Sequence, residues 1–166
     1  MRFPPKAFDV ITCYDVLEHL HEPRVVFEKV AQWLKPNGIF YIFVPNVMSW
    51  EARLFRSFWY PLDLPRHLHF FSPSSLNSLA NFVGLRTSEI VTPPGNYLEH
   101  NTSRLLSYLA HRATGSNAAI DISGQANILW RVARKSFRLS VESGFGLAAS
   151  IFHVGPSLHA VFQRPN

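Results

Sequence analysis

Two unbroken runs of strand-forming residues, Phe8–Cys13 and Ile39–Val44, are joined by one helical pattern, all within forty residues. Neither run alternates polar with apolar residues, which is the signature of a strand buried on both faces of a parallel sheet. Between them Pro23 stands where the first turn of a helix tolerates proline. Val25, Val26, Val30, Trp33 and Leu34 then recur at helical spacing. Lys35-Pro36-Asn37-Gly38 stops the helix, with a basic residue in its last turn and glycine beyond. A strand, a crossover helix and a second strand of this length require a βαβ unit, and with it a parallel sheet crossed right-handed.

The rest of the chain extends that unit. Met48 to Trp59 reads as helical and is followed by a proline-punctuated loop, YPLDLPRHLHFFSP. Ser72 is the expected N-cap of a helix with Pro73 at its first position, ending at Gly84. Leu85–Val91 and Leu158–Gln163 are expected strands. Tyr97–Arg112 and Asn127–Val141 are expected helices, separated by the loop-like ATGSNAAIDISGQ. With 166 residues the chain has the size of one ordinary domain, and 47% apolar against 16% charged residues leaves ample material for a core.

Charge and cysteine usage narrow the class. A single cysteine, Cys13, excludes an internal disulfide framework. No apolar stretch of signal-peptide length precedes Phe8, so the expected location is cytoplasmic. The net charge is +5, with Arg131, Arg134, Lys135 and Arg138 clustered late. These read as a solvated helix face, and no nucleic-acid partner is expected, since no RNA-binding signature or zinc-knuckle spacing accompanies them. Ser143–Val154 is apolar but too short to span a bilayer. It is expected to be buried, with membrane-surface contact as the alternative.

Three phrases, FDVITCYDVLEHLHEP, VAQWLKPNGIFYIFVPN and RHLHFFSPSSLNSLANFVGL, together resemble the second half of a class I S-adenosylmethionine-dependent methyltransferase. The subgroup they are most similar to includes the ubiquinone-biosynthesis O-methyltransferases. The resemblance implies an α/β fold, a partial Rossmann-like methyltransferase sheet holding strands four to seven only. Phe8–Cys13 and Ile39–Val44 would be strands four and five, Leu85–Val91 strand six. Leu158–Gln163 would be strand seven, antiparallel between its neighbours, after a helical insertion over 95–155. It also implies S-adenosylmethionine as cofactor and a small-molecule methyl acceptor as partner. The glycine-rich turn and ribose-binding acid of that family have no counterpart before Phe8. The chain is therefore expected to be truncated, inactive alone, and prone to associate through the bare edge of its first strand. The competing reading is a non-catalytic remnant or interaction module that docks to a partner chain or membrane surface.

Ligands of open parallel sheets sit beyond the carboxyl ends of the strands, and two groups of polar residues fall there. The resemblance places the backbone of Cys13, Tyr14 and Asp15 against the cofactor's methionine end. Asp15, Glu18 and His19 are spaced i, i+3, i+4, so a helical turn starting at Asp15 would aim all three from one face. Two carboxylates and an imidazole suit a divalent cation, Mg²⁺ being the first candidate, although helix capping explains the same acids. His19 and His67 are the candidate catalytic bases, and Asn46, Trp59, Tyr60 and His69 the candidate acceptor contacts. His67 and His69 would share one side of an extended segment.

Overall fold

The computed structural model describes residues 3–93, 97–114 and 154–166. Its elements are strand β1 (Phe8–Tyr14), helix α1 (Pro23–Trp33), strand β2 (Leu34–Pro45) and helix α2 (Trp50–Phe55). Helix α3 (Pro73–Phe82), strand β3 (Arg86–Val91), helix α4 (Leu98–Thr114) and strand β4 (Ser157–Gln163) follow. The sheet order is β1-β2-β4-β3. β1 and β2 pair in parallel, and β4 runs antiparallel between β2 and β3. The parallel pair with its crossover helix and the antiparallel last strand are both as expected from the sequence.

One face of the sheet is the core. Phe40, Ile42 and Val44 of β2 and Leu158, Ala160 and Phe162 of β4 are wholly buried. Phe27 and Val30 of α1 and Leu76 and Ala80 of α3 cover them. Phe27 meets Phe40 and Phe162 edge-on, with centroids 5.3 and 5.8 Å apart. Each such buried side chain is worth roughly 1.5–3 kcal/mol. The alternate positions Val10, Tyr14, Ile39, Tyr41, Phe43 and His159 share the opposite face, where Val10 and Tyr14 are more than half exposed. Among the described residues β1 forms one edge of the sheet and β3 the other.

Local chemistry fixes the helix ends. Ser72 caps α3 in a reciprocal box with Ser75, and Gly84 beyond its end takes a left-handed φ of 76°. The C-terminus of α1 is closed by a distant residue: the Arg164 guanidinium donates to the carbonyls of Ala31, Gln32 and Leu34. Where one helix was expected from Met48 to Trp59, the helix runs only from Trp50 to Phe55, and a 3₁₀ turn follows at Arg56–Phe58. The break lies at Arg56, whose φ of 49° no α-helix accommodates. The span 95–155 expected as a helical insertion begins with α4. Residues 115–153 lie outside the described part, and with them the Asn127–Val141 helix, its basic cluster and nearly all of Ser143–Val154. No helix among the described residues is long and apolar enough to cross a membrane.

Candidate functional site

At the carboxyl end of β1 the chain reverses. Asp15 still donates its N–H to Phe43 across the ladder, at 3.0 Å, but its φ of 47° is left-handed. A non-glycine residue in that region costs of order 1 kcal/mol and commonly marks a site where geometry is imposed. A 3₁₀ turn, Leu17–His19, follows, pinned by Leu17, which is wholly buried in the core. Glu18 comes next and is carried inward: it is 1% exposed, and neither carboxylate oxygen has a hydrogen-bond partner. Its backbone carbonyl accepts from the N–H groups of Leu68 and His69, which draws the 66–69 segment over the turn.

Two histidines complete the group. His19 Nδ1 lies 2.9 Å from the Arg66 carbonyl, His67 Nδ1 lies 2.6 Å from the Pro61 carbonyl, and the two rings meet edge-on at 4.6 Å. A carbonyl oxygen can only accept, so each Nδ1 carries a proton, which leaves Nε2 as the ring atom able to gain or lose one. Ligand atoms of Glu18, His19 and His67 lie within 4.8 Å of one another. The Glu18 carboxylate in this cluster is buried without a partner, an arrangement that a proton, a cation or a donating ligand can satisfy. Burial pushes the Glu18 carboxyl above its usual value, and the Asp15 charge adds to it, while the nearness of its own backbone amide and of the two histidines pulls the other way. Desolvation likewise raises Asp15, with His67 and His19 opposing.

The residues singled out from the sequence distribute unevenly around this pocket. Glu18 and His19 are in it. Asp15 is not in the trio, because its left-handed turn precedes the 3₁₀ turn and breaks the i, i+3, i+4 geometry on which its inclusion rested; His67, 48 positions beyond His19 in the chain, stands with the other two. His69 parts from His67 and turns to the His21 carbonyl at 3.2 Å. Cys13 is a buried core residue whose thiol is raised by burial, while Tyr14 is exposed against Tyr41 and Phe43. Asn46 is wholly buried and its amide is spent on the Gly155 carbonyl and the Met48 N–H, so it holds a turn together rather than facing a ligand. Trp59 is 2% exposed and packs near Phe70, as core does. Tyr60 remains at the surface, stacked on His100 at 4.4 Å and beside Tyr97 at 5.7 Å.

A second buried carboxylate escaped the sequence reading. Glu51 of α2 is fully buried and accepts from the Tyr97 N–H and from Asn101 Nδ2 of α4. Burial raises its pKa to about 7, against the pull of those two donors. The Tyr97 phenol is pushed to about 12 by burial and by the charges of Asp15, Glu51 and Glu18, which places it in the field of the same acids. Nothing in WEARLF distinguishes Glu51 from an ordinary first-turn acid; its partners are 46 and 50 residues away.

A family model described as a methyltransferase domain matches residues 1–90. The ubiquinone biosynthesis O-methyltransferase of Idiomarina loihiensis is 32% identical over 87 residues, 49% of this chain and 36% of that protein. The corresponding protein of Paraburkholderia xenovorans is 33% identical over 92 residues, covering 52% and 40%. The matched stretch therefore spans about two fifths of the length of these curated relatives. Among solved structures, a SAM-dependent methyltransferase from Archaeoglobus fulgidus has a TM-score of 0.53 at 17% identity, covering 97% of this chain and 61% of that one. Phosphoethanolamine N-methyltransferase 2 of Haemonchus contortus, in complex with S-adenosyl-L-methionine, has a TM-score of 0.51 at 15% identity, covering 99% and 35%. At these identities the structural likeness establishes a shared fold.

Proposed function

This chain belongs to the class I S-adenosylmethionine-dependent methyltransferase family, and from that premise we propose that its described residues form the acceptor side of a small-molecule O-methyltransferase site. The observation that carries the reading is the buried, unpartnered Glu18 carboxylate clustered with His19 and His67 at the carboxyl end of β1. A hydroxyl donor satisfies such a carboxylate, and a hydroxyl is what the reaction must deprotonate. Nε2 of His67 would take the acceptor's O–H proton and so ready its oxygen to displace a methyl group from the sulfonium donor. S-adenosylmethionine, when bound, supplies that methyl group on a sulfonium. For it the described residues offer the exposed Tyr14–Asp15 turn, whose Asp15 carboxylate makes no hydrogen bond or ion pair among the described residues. Tyr60 and Tyr97 supply aromatic surface for the acceptor ring.

The same cluster fits a divalent cation, because ligand atoms of a buried, unpartnered carboxylate and of two imidazoles lie within 4.8 Å of one another. A donor set of two nitrogens and one oxygen favours Zn²⁺ or Mn²⁺ over Mg²⁺. Bound there, such an ion lowers the pKa of a phenol. Titration of the whole chain with catechol, followed through the ring resonances of His19 and His67, tests the acceptor reading. Glu18→Gln and His67→Gln should each weaken binding at least about tenfold, the loss of a charge-assisted hydrogen bond. Equal affinity in all three proteins, or no binding to the unaltered chain, overturns it.

A further inference from the structure

The loop that delivers His67 has no regular secondary structure of its own between the 3₁₀ turn at Arg56–Phe58 and α3. Its far end is held by Glu18, and its near end by α4. Asn101 Oδ1 accepts from the Tyr60 N–H, and the Arg104 guanidinium, one turn on, donates to the carbonyls of Trp59 and Tyr60. The next residue, Pro61, offers the carbonyl that His67 Nδ1 bonds at 2.6 Å. Behind Asn101 stands Glu51, 2.8 Å from Nδ2 and wholly buried.

The direction of this chain of contacts is dictated by chemistry. Oε2 of Glu51 accepts from the Tyr97 N–H and from Asn101 Nδ2, so Asn101 turns its NH₂ toward Glu51. Its amide oxygen is then left to face the Tyr60 N–H, which fixes the Trp59–Tyr60 peptide, while Arg104 holds the Tyr60 carbonyl of the next one. The Pro61 carbonyl, acceptor-only, calls for a proton on Nδ1 of His67. We propose that Glu51 is a positioning residue for His67, acting through Asn101 and the Tyr60–Pro61 backbone to hold the imidazole as its Nδ1–H tautomer with Nε2 unprotonated. The significance of that tautomer rests on the role proposed above for His67, because only this form offers Nε2 as a base or ligand. The placement itself rests on the hydrogen bonds alone.

Glu51→Leu perturbs the relay at its source, because it removes the Oε2 that accepts from both the Tyr97 N–H and Asn101 Nδ2. Glu51→Gln, whose amide oxygen can take the place of Oε2, should preserve it. Asn101→Ala removes the acceptor outright.

The test is two-bond ¹H–¹⁵N spectroscopy of the whole chain labelled at histidine nitrogens, with no ligand added. In the unaltered protein His67 should appear as the Nδ1–H tautomer, and the Tyr60 amide should be strongly protected from hydrogen exchange. In Glu51→Leu and Asn101→Ala the ratio of Nδ1–H to Nε2–H should fall about fivefold, as expected for the loss of one hydrogen bond. His159, bonded to Tyr41 in the sheet, should keep its resonances and so report that the fold persists. A His67 tautomer unmoved in both variants overturns the proposal. Should either variant unfold, the unaltered protein decides: an Nε2–H His67 or a freely exchanging Tyr60 amide overturns it, while an Nδ1–H ring with a protected amide supports it. Because no substrate enters, failure here is separate from failure of the catechol titration.

Discussion

Replacing Glu51 by glutamine should remove a large part of the pH dependence of this protein's stability. The carboxyl is buried completely, and burial raises its pKa from 4.5 to about 7 in the fold. A raised acid is protonated more readily folded than unfolded, so its contribution to stability is fully present below about pH 4.5 and is lost as the pH climbs through 7. The gap between those values converts, at 1.36 kcal/mol per pH unit, to about 3 kcal/mol. Glu18 and Asp15 are raised in the same direction, so the unaltered protein alone does not isolate the effect. The difference between the two proteins does, because both other acids are common to them. Urea denaturation followed by circular dichroism at half-unit steps from pH 4.5 to 8 is the assay. Relative to Glu51→Gln, the unaltered protein should lose about 3 kcal/mol across that range, most of it between pH 5 and 7. A flat difference, or one that favours the unaltered protein as the pH rises, refutes the reasoning.

Three further substitutions probe the site and its scaffold. Glu18→Gln puts an NH₂ beside His19 and His67 and removes a buried unpartnered charge; the metal-free protein should gain about 1–3 kcal/mol at pH 8 by urea denaturation, while calorimetry should show Zn²⁺ affinity lost. Gly155→Ala would place a Cβ 2.7 and 2.8 Å from the backbone oxygens of Thr92 and Pro93. It should cost about 1–3 kcal/mol in denaturant midpoint experiments by forcing apart the segment that Asn46 holds. Arg164→Ala leaves the last carbonyls of α1 without their cationic partner and should cost about 1–3 kcal/mol at neutral pH, with Arg164→Lys recovering part of it.

The fold was largely readable because each of its elements carries a local signature. Runs without polar–apolar alternation mark β1 and β2, and Ser72-Pro73 marks the start of α3. Helix α2 was misjudged in length, since the left-handed Arg56 that ends it is not announced by glycine or proline. The site was only half readable. Glu18 and His19 stood out as polar residues at the exit of an apolar strand, and His67 as a loop histidine. Their convergence was not predicted, because Asp15 was given the place that His67 holds. Asn46, Trp59 and Glu51 were misjudged or missed for one common reason: whether a polar or aromatic side chain faces a ligand or the interior depends on partners tens of residues away.

By itself the sequence determined the order of strands and helices, the parallel crossover at the start, and the family, all of which follow from residue periodicity and from short phrases whose chemistry is local. Only the tertiary structure decided which acceptors gather in the pocket and which atoms of them are left over. That outcome turns on hydrogen bonds to distant carbonyls, at Arg66 and Pro61, and on a buried carboxylate that orients an amide across two helices. Proton placement on an imidazole depends on its neighbours' directions in space, and no spacing along a chain encodes that.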